Sequence, residues 1–109
     1  MSVNWNTVTT QLEKSVGDVV GPAWKTASAG ASTQFAAIIA AGKQVEENKD
    51  SMTQAECHSL KLMQQRALEG VLQAYTGISI DIAEQAAAAA WQVVASALKT
   101  AYPVLGLAL

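Results

Sequence analysis

The one cysteine and the one histidine of this chain, Cys57 and His58, are adjacent. A thiol beside an imidazole is the pairing from which a nucleophile and its general base are built. Adjacency works against that chemistry on a helix, where consecutive side chains point about 100° apart and do not hold one another at hydrogen-bond distance. The expected arrangement is a semi-exposed His58 beside a packed Cys57, with no turnover. A lone cysteine also excludes an intramolecular disulfide and a cysteine-based zinc site. Four acids, Glu46, Glu47, Asp50 and Glu56, gather in a polar stretch without the spacing of a calcium-binding loop, and they predict a solvated turn.

The glycines 17, 21, 30, 42 and 70 are spread along the chain and do not cluster between a strand and a helix, as phosphate- and dinucleotide-binding loops require. Gly30 and Gly42 instead read as places where helices approach closely. Trp5, Trp24 and Trp91 each fall on an apolar helical face, which predicts packing and not a ligand cage. No catalytic, metal or cofactor residue is expected, and the chain is read as a non-enzyme. Seven basic residues against nine acidic ones leave no basic footprint for phosphate, so no nucleic-acid partner is expected.

The elements that hold these residues are helical throughout. Trp5, Val8, Leu12, Val16 and Val19 recur at helical spacing and predict a helix over about residues 4–20, capped by Asn4 or Asn6 and ended by Gly21-Pro22. Pro22 opens a second helix, to about residue 47, whose seam runs through Trp24, Ala27, Ala31, Phe35, Ile38, Gly42 and Val45. Thr53-Gln54-Ala55-Glu56 has the form of a capping box and starts a third helix over 53–75. Its inward face is expected at Leu60, Met63, Ala67, Val71 and Ala74, with Leu68, Leu72 and Tyr75 on the flank. Residues 78–82 alternate like a strand, but there is no partner strand, so they are assigned to the start of a fourth helix over 79–102. That helix confines its polar groups to a stripe of Asp81, Gln85, Gln92, Ser96 and Lys99, which places it centrally. The fold class is all-α: a single domain, 1–109, of about four helices in hairpins or a bundle, with an apolar C-terminal tail over 103–109.

Half of the residues are hydrophobic, yet 21 are alanine and only six are aromatic, so the core must form by close approach of small side chains. The segment after residue 69 carries three charges, Asp81, Glu84 and Lys99. Continuous apolar surface of this kind predicts a buried helix, a subunit contact or a membrane-seeking segment, and contact between copies explains most of it at once. The expected interface comprises Ala27, Ala31, Phe35, Ile38, Gly42, Trp91, Val94, Leu98, Tyr102, Val104, Leu105, Leu107 and Leu109. Crossing a membrane needs about 20 consecutive apolar residues, and the uncharged run of residues 26–42 contains five polar ones, so an isolated spanning helix is not expected. Small-xxx-small spacings such as Ala27 to Ala31 keep membrane contact within a ring open.

The start, Met1-Ser2-Val3-Asn4-Trp5, lacks a basic region followed by an apolar run, so synthesis is expected to finish in the cytoplasm without a signal peptide. In overall character, and through no motif, the chain resembles the small Ala-, Ser-, Thr- and Gln-rich helical proteins of phage virions and secretion filaments. The expected function is a structural subunit of a helical homo-oligomeric assembly: a virion, tail or ejection component, or a secretion filament. A membrane-active, holin-like protein and a helical inhibitor or adaptor are the alternatives.

Overall fold

A computed structural model describes residues 2–103 of the chain. Among them the regular structure is entirely helical: α1 (Trp5–Val20), a 3-10 turn (Gly21–Ala23), α2 (Trp24–Glu47), α3 (Gln54–Thr76) and α4 (Ile80–Ala101). The expected separation into four helices is corrected at the first joint. α1, the 3-10 turn and α2 follow one another without a loop, so non-helical residues divide the chain into three helical stretches, Trp5–Glu47, Gln54–Thr76 and Ile80–Ala101. The path still turns at that joint, because Gly21 takes φ 78°, a conformation that side chains with a Cβ resist, and Pro22 follows inside the 3-10 turn.

Local chemistry sets the other ends. Asn4 caps α1 by accepting the Thr7 backbone N–H at 3.2 Å. Thr53 and Glu56 satisfy each other's backbone donors, each at 3.1 Å, and complete the capping box of α3. Gly77, left-handed at φ 65°, ends α3. Ser79 then caps α4 through the Ile82 N–H, which gives the alternating residues 78–82 a helical start in place of a strand.

α4 packs on α1 along one side and on α3 along the other, while α2 packs mainly on α3. Trp5 reaches Gly42 near the end of α2, and Glu46 bonds Tyr102 just past the end of α4. The helices therefore alternate up and down, with the start of α1, the α2–α3 connection and the end of α4 at one end. The radius of gyration is 13.5 Å, close to the roughly 13 Å of a compact chain this long. One buried cluster draws on all the helices, through Leu12 and Val16 of α1, Phe35 and Ile38 of α2, Leu68 and Leu72 of α3, and Trp91, Val94 and Leu98 of α4.

α3 departs from its expected face. Its buried residues are Cys57, Leu68 and Leu72, while Met63, Ala67 and Ala74 are exposed and Leu60 and Val71 half-buried. The helix is rotated so that its two leucines fill the space between α2 and α4. The half-buried Lys61 and Gln64 share that inward line, and Gln64 is satisfied across the helix pair by the Gln34 side-chain amide at 3.1 Å. Those polar residues hid the line from a hydrophobic pattern.

Candidate functional site

Cys57 lies 2% exposed at the first turn of α3 while His58 faces water. Burial, and then the neighbouring Glu56 charge, push the Cys57 thiol above its ordinary range. The pair thus points in different directions, as adjacency on a helix requires. Among the described residues no polar or charged residue is buried, and no group of three His, Cys, Asp or Glu residues is placed to hold a metal ion. Glu47, Asp50 and Glu56 are exposed.

Glu46 corrects the expectation of a purely solvated acidic turn. Its carboxylate accepts three hydrogen bonds, from the Val3 backbone N–H at 3.0 Å, the Trp5 indole N–H at 3.0 Å and the Tyr102 hydroxyl at 2.8 Å. The Lys49 ammonium sits 4.9 Å above the centre of the Tyr102 ring and donates to the Glu46 carbonyl at 3.4 Å. Partial burial by itself would raise the carboxyl's pKa. The bonds from Trp5, Val3 and Tyr102 and the Lys49 charge outweigh it, and the net shift is downward. Tyr102 is shifted upward, first by the hydrogen bond to Glu46, then by burial and the carboxylate charge. One carboxylate therefore ties the start of α1, the end of α2 and the residue after α4 together.

The close approach that makes this clasp reachable is at Gly42. A Cβ there would stand 2.6 Å from the Trp5 ring and 2.9 Å from Val94. Gly30 admits the Tyr75 ring in the same way, and Gly17 the Trp24 indole. Trp24 also lies against Phe35, ring centres 5.4 Å apart. The third tryptophan, Trp91, is 2% exposed, and its indole N–H has no acceptor among the described residues.

Most of the expected interface is occupied by the chain itself. Ala27, Ala31, Phe35, Ile38, Gly42, Trp91, Val94 and Leu98 are all buried within one copy, because α4 lies between α1 and α3 and the α2 seam closes onto its neighbours. Tyr102 is half-buried in the clasp. Val104, Leu105, Leu107 and Leu109 lie outside the described residues.

The surface that is left open is elsewhere. Met63, Ala67 and Ala74, turned outward by the rotation of α3, form an outer apolar stripe on which Met63 is 64% exposed, and Leu60 and Val71 flank it while packing partly against the core. Gly70 lies on the same side with open space at its Cβ position. Around the α3–α4 turn, Tyr75 and Ile80 are 54% and 57% exposed. At the other end of the stripe a groove of about 370 Å³ runs between Gln44 of α2, Met52, and Ala55, Glu56, Ser59, Leu60 and Met63 of α3. No helix among the described residues is long and apolar enough to cross a membrane.

The clasp escaped the sequence pattern, whereas the stripe was found by it and assigned to the inward side of α3. The signal for the clasp was the polar tips of Trp5 and Tyr102, each of which needs a partner when half-buried. Comparison with protein-family models, with curated proteins and with solved structures finds no match to this chain.

Proposed function

We propose that the chain is a non-enzymatic structural subunit of a homo-oligomeric assembly, whose copies meet on the outer face of α3. The observation that carries this reading is the outward apolar stripe Met63, Ala67 and Ala74, bordered by the half-buried Leu60 and Val71, with Met63 64% exposed. Exposed apolar side chains gathered on one face favour contact with another surface that removes them from water. From Leu60 to Ala74 the face is about 21 Å long on a helix about 10 Å across, on the order of 200 Å². A stable pair of proteins buries about 800 Å² on each side, so the stripe needs further apolar surface beside it. Tyr75 and Ile80, 54% and 57% exposed around the α3–α4 turn, add apolar surface beyond the stripe.

The finer identification as a virion, tail or ejection component, or a secretion-filament subunit, is supported by the overall resemblance in composition. Size-exclusion chromatography with light scattering tests the reading. A mass that is a multiple of 11.4 kDa in the absence of detergent supports it. A single-chain mass, together with dye release from liposomes, would replace it with a membrane-active protein; a single-chain mass with one tight protein partner would replace it with an adaptor or inhibitor.

A further inference from the structure

We propose that α1 is an arm that two copies of the chain can exchange, each α1 packing on α4 of the other copy, with the Gly21–Pro22 joint as the hinge. This goes beyond the contact on α3 and does not rest on it. The reversal of the chain between α1 and α2 is concentrated at one residue. Val20, Ala23 and Trp24 have helical backbone angles, while Gly21, at φ 78° and ψ −147°, departs from them into a region open essentially to glycine alone. With Gly21 in the helical region instead, residues 5–47 form one helix roughly 65 Å long. The longest dimension of the closed chain is 39 Å, so α1 then projects past the bundle, out of reach of its own α4.

What α1 loses on opening, a second copy returns. α1 packs mainly on α4 and more lightly on α2, burying Val8, Leu12, Val16 and Val20. An open chain exposes this face and bares the matching side of its α4, and the two surfaces fit each other between copies as they do within one. Two open chains lying with their long helices antiparallel remake the contact twice. α1 of one copy then runs along α2 of the other, so the Trp5 bond to Glu46 and the approach of Trp5 to Gly42 are remade as well. The open pair and two closed chains differ chiefly at the joint, the condition under which exchange of an element costs little. Pro22 opposes it, because within a straight helix it donates no N–H and crowds the carbonyl of Asp18. Gly21 thus permits the closed turn and Pro22 disfavours the straight helix. The parent chain rests closed and exchanges its arm only when chains fold together at high concentration.

Exchange is measured in full-length chains that carry Met63→Glu to remove the contact on α3. Gln11 and Ser96 are exposed and line the groove between α1 and α4. Gln11→Cys and Ser96→Cys are placed in separate chains, which are unfolded, mixed, refolded together at high concentration and treated with a short bismaleimide. Chains without the added cysteines control for the buried Cys57. Exchange gives a product at twice 11.4 kDa that joins position 11 of one chain to position 96 of another. Gly21→Ala tests the hinge: a Cβ there meets nothing within 4 Å, so the substitution acts on the backbone alone and penalises the closed turn. A penalty of roughly tenfold per chain raises the association constant of the exchanged pair roughly 100-fold. Pro22→Ala leaves the closed turn unstrained and shifts the equilibrium the same way, and circular dichroism shows that each variant keeps its helix content. Variants that both stay at 11.4 kDa by light scattering, with 11–96 links formed only when one chain carries both cysteines, overturn the proposal. A Gly21→Ala dimer whose 11–96 links lie within each chain overturns it as well.

Discussion

Replacing Glu46 by Ala takes the acceptor from three donors at once, the Val3 N–H, the Trp5 indole N–H and the Tyr102 hydroxyl. A typical intramolecular hydrogen bond contributes about 1 kcal/mol net, and more where one partner is charged. The site is half-buried, so water re-solvates part of what is freed, and we expect a loss of about 2 kcal/mol rather than the full sum. For a domain this size that is a fall in Tm of about 8 to 16 °C. The pH dependence carries the specific signature. Because the Glu46 pKa is lowered by folding, its contribution is present above the ordinary carboxylate value and is lost as pH falls through the folded value. The gap between the parent and Glu46→Gln should therefore narrow as the medium is acidified below about pH 4.5. Tyr102 is shifted the other way, so its contribution is present below the ordinary phenol value and is lost as pH rises through the folded one. Thermal melts followed by circular dichroism between acid and alkaline pH measure both. Equal melting temperatures for parent and Glu46→Ala at neutral pH, or parallel acid profiles for parent and Glu46→Gln, would refute the clasp.

Gly42→Ala sets a Cβ 2.6 Å from the Trp5 ring and 2.9 Å from Val94 and should cost about 1 to 3 kcal/mol by overpacking. Gly70→Ala meets nothing within 4 Å and should stabilise α3 by about 0.5 to 1 kcal/mol; denaturant titration of the two variants checks both signs. Cys57, buried and with its thiol pushed up, should label with a maleimide about 100-fold more slowly in the native protein than in denaturant, as expected if labelling waits on a local opening of about 3 kcal/mol; equal rates would contradict its burial. His58→Ala, on the exposed side, should change stability by less than about 0.5 kcal/mol and leave assembly unaltered.

The helix ends were legible because their causes are local. Asn4 and the Thr53–Glu56 box each act within a few residues, and each is found where the sequence places it, whereas Gly21-Pro22 turns the path without separating the helices. The seams of α1 and α2 were legible for a similar reason: Val8, Leu12 and Val16, and Ala31, Phe35, Ile38 and Val45, are uninterrupted lines of apolar residues. α3 was read one face off because it carries two lines. The apolar one holds small or flexible residues, Met63, Ala67 and Ala74, and the line that packs holds the bulkier Leu68 and Leu72 together with Lys61 and Gln64. Volume between two neighbouring helices decided the matter, and periodicity does not encode it. The Glu46 clasp was out of reach for a different reason. Its donors lie 43, 41 and 56 residues away along the chain, so only the assembled bundle brings them together. The interface expected on α2 and α4 followed from judging those faces too apolar for one copy to cover; within one copy α4 packs between α1 and α3, and α2 packs mainly on α3.

Light scattering of the full-length chain and of Met63→Glu, each followed through a dilution series, bears most directly on the claim that copies meet on the outer face of α3. Met63 contributes to no buried cluster and is 64% exposed, so the substitution should leave helix content and melting of the isolated chain unchanged while placing a charge in the contact. The expected result is a parent mass at a multiple of 11.4 kDa and a variant mass that falls to a single chain at the same concentration. A parent that stays at 11.4 kDa, or a variant that keeps the full mass of the parent, would contradict the account.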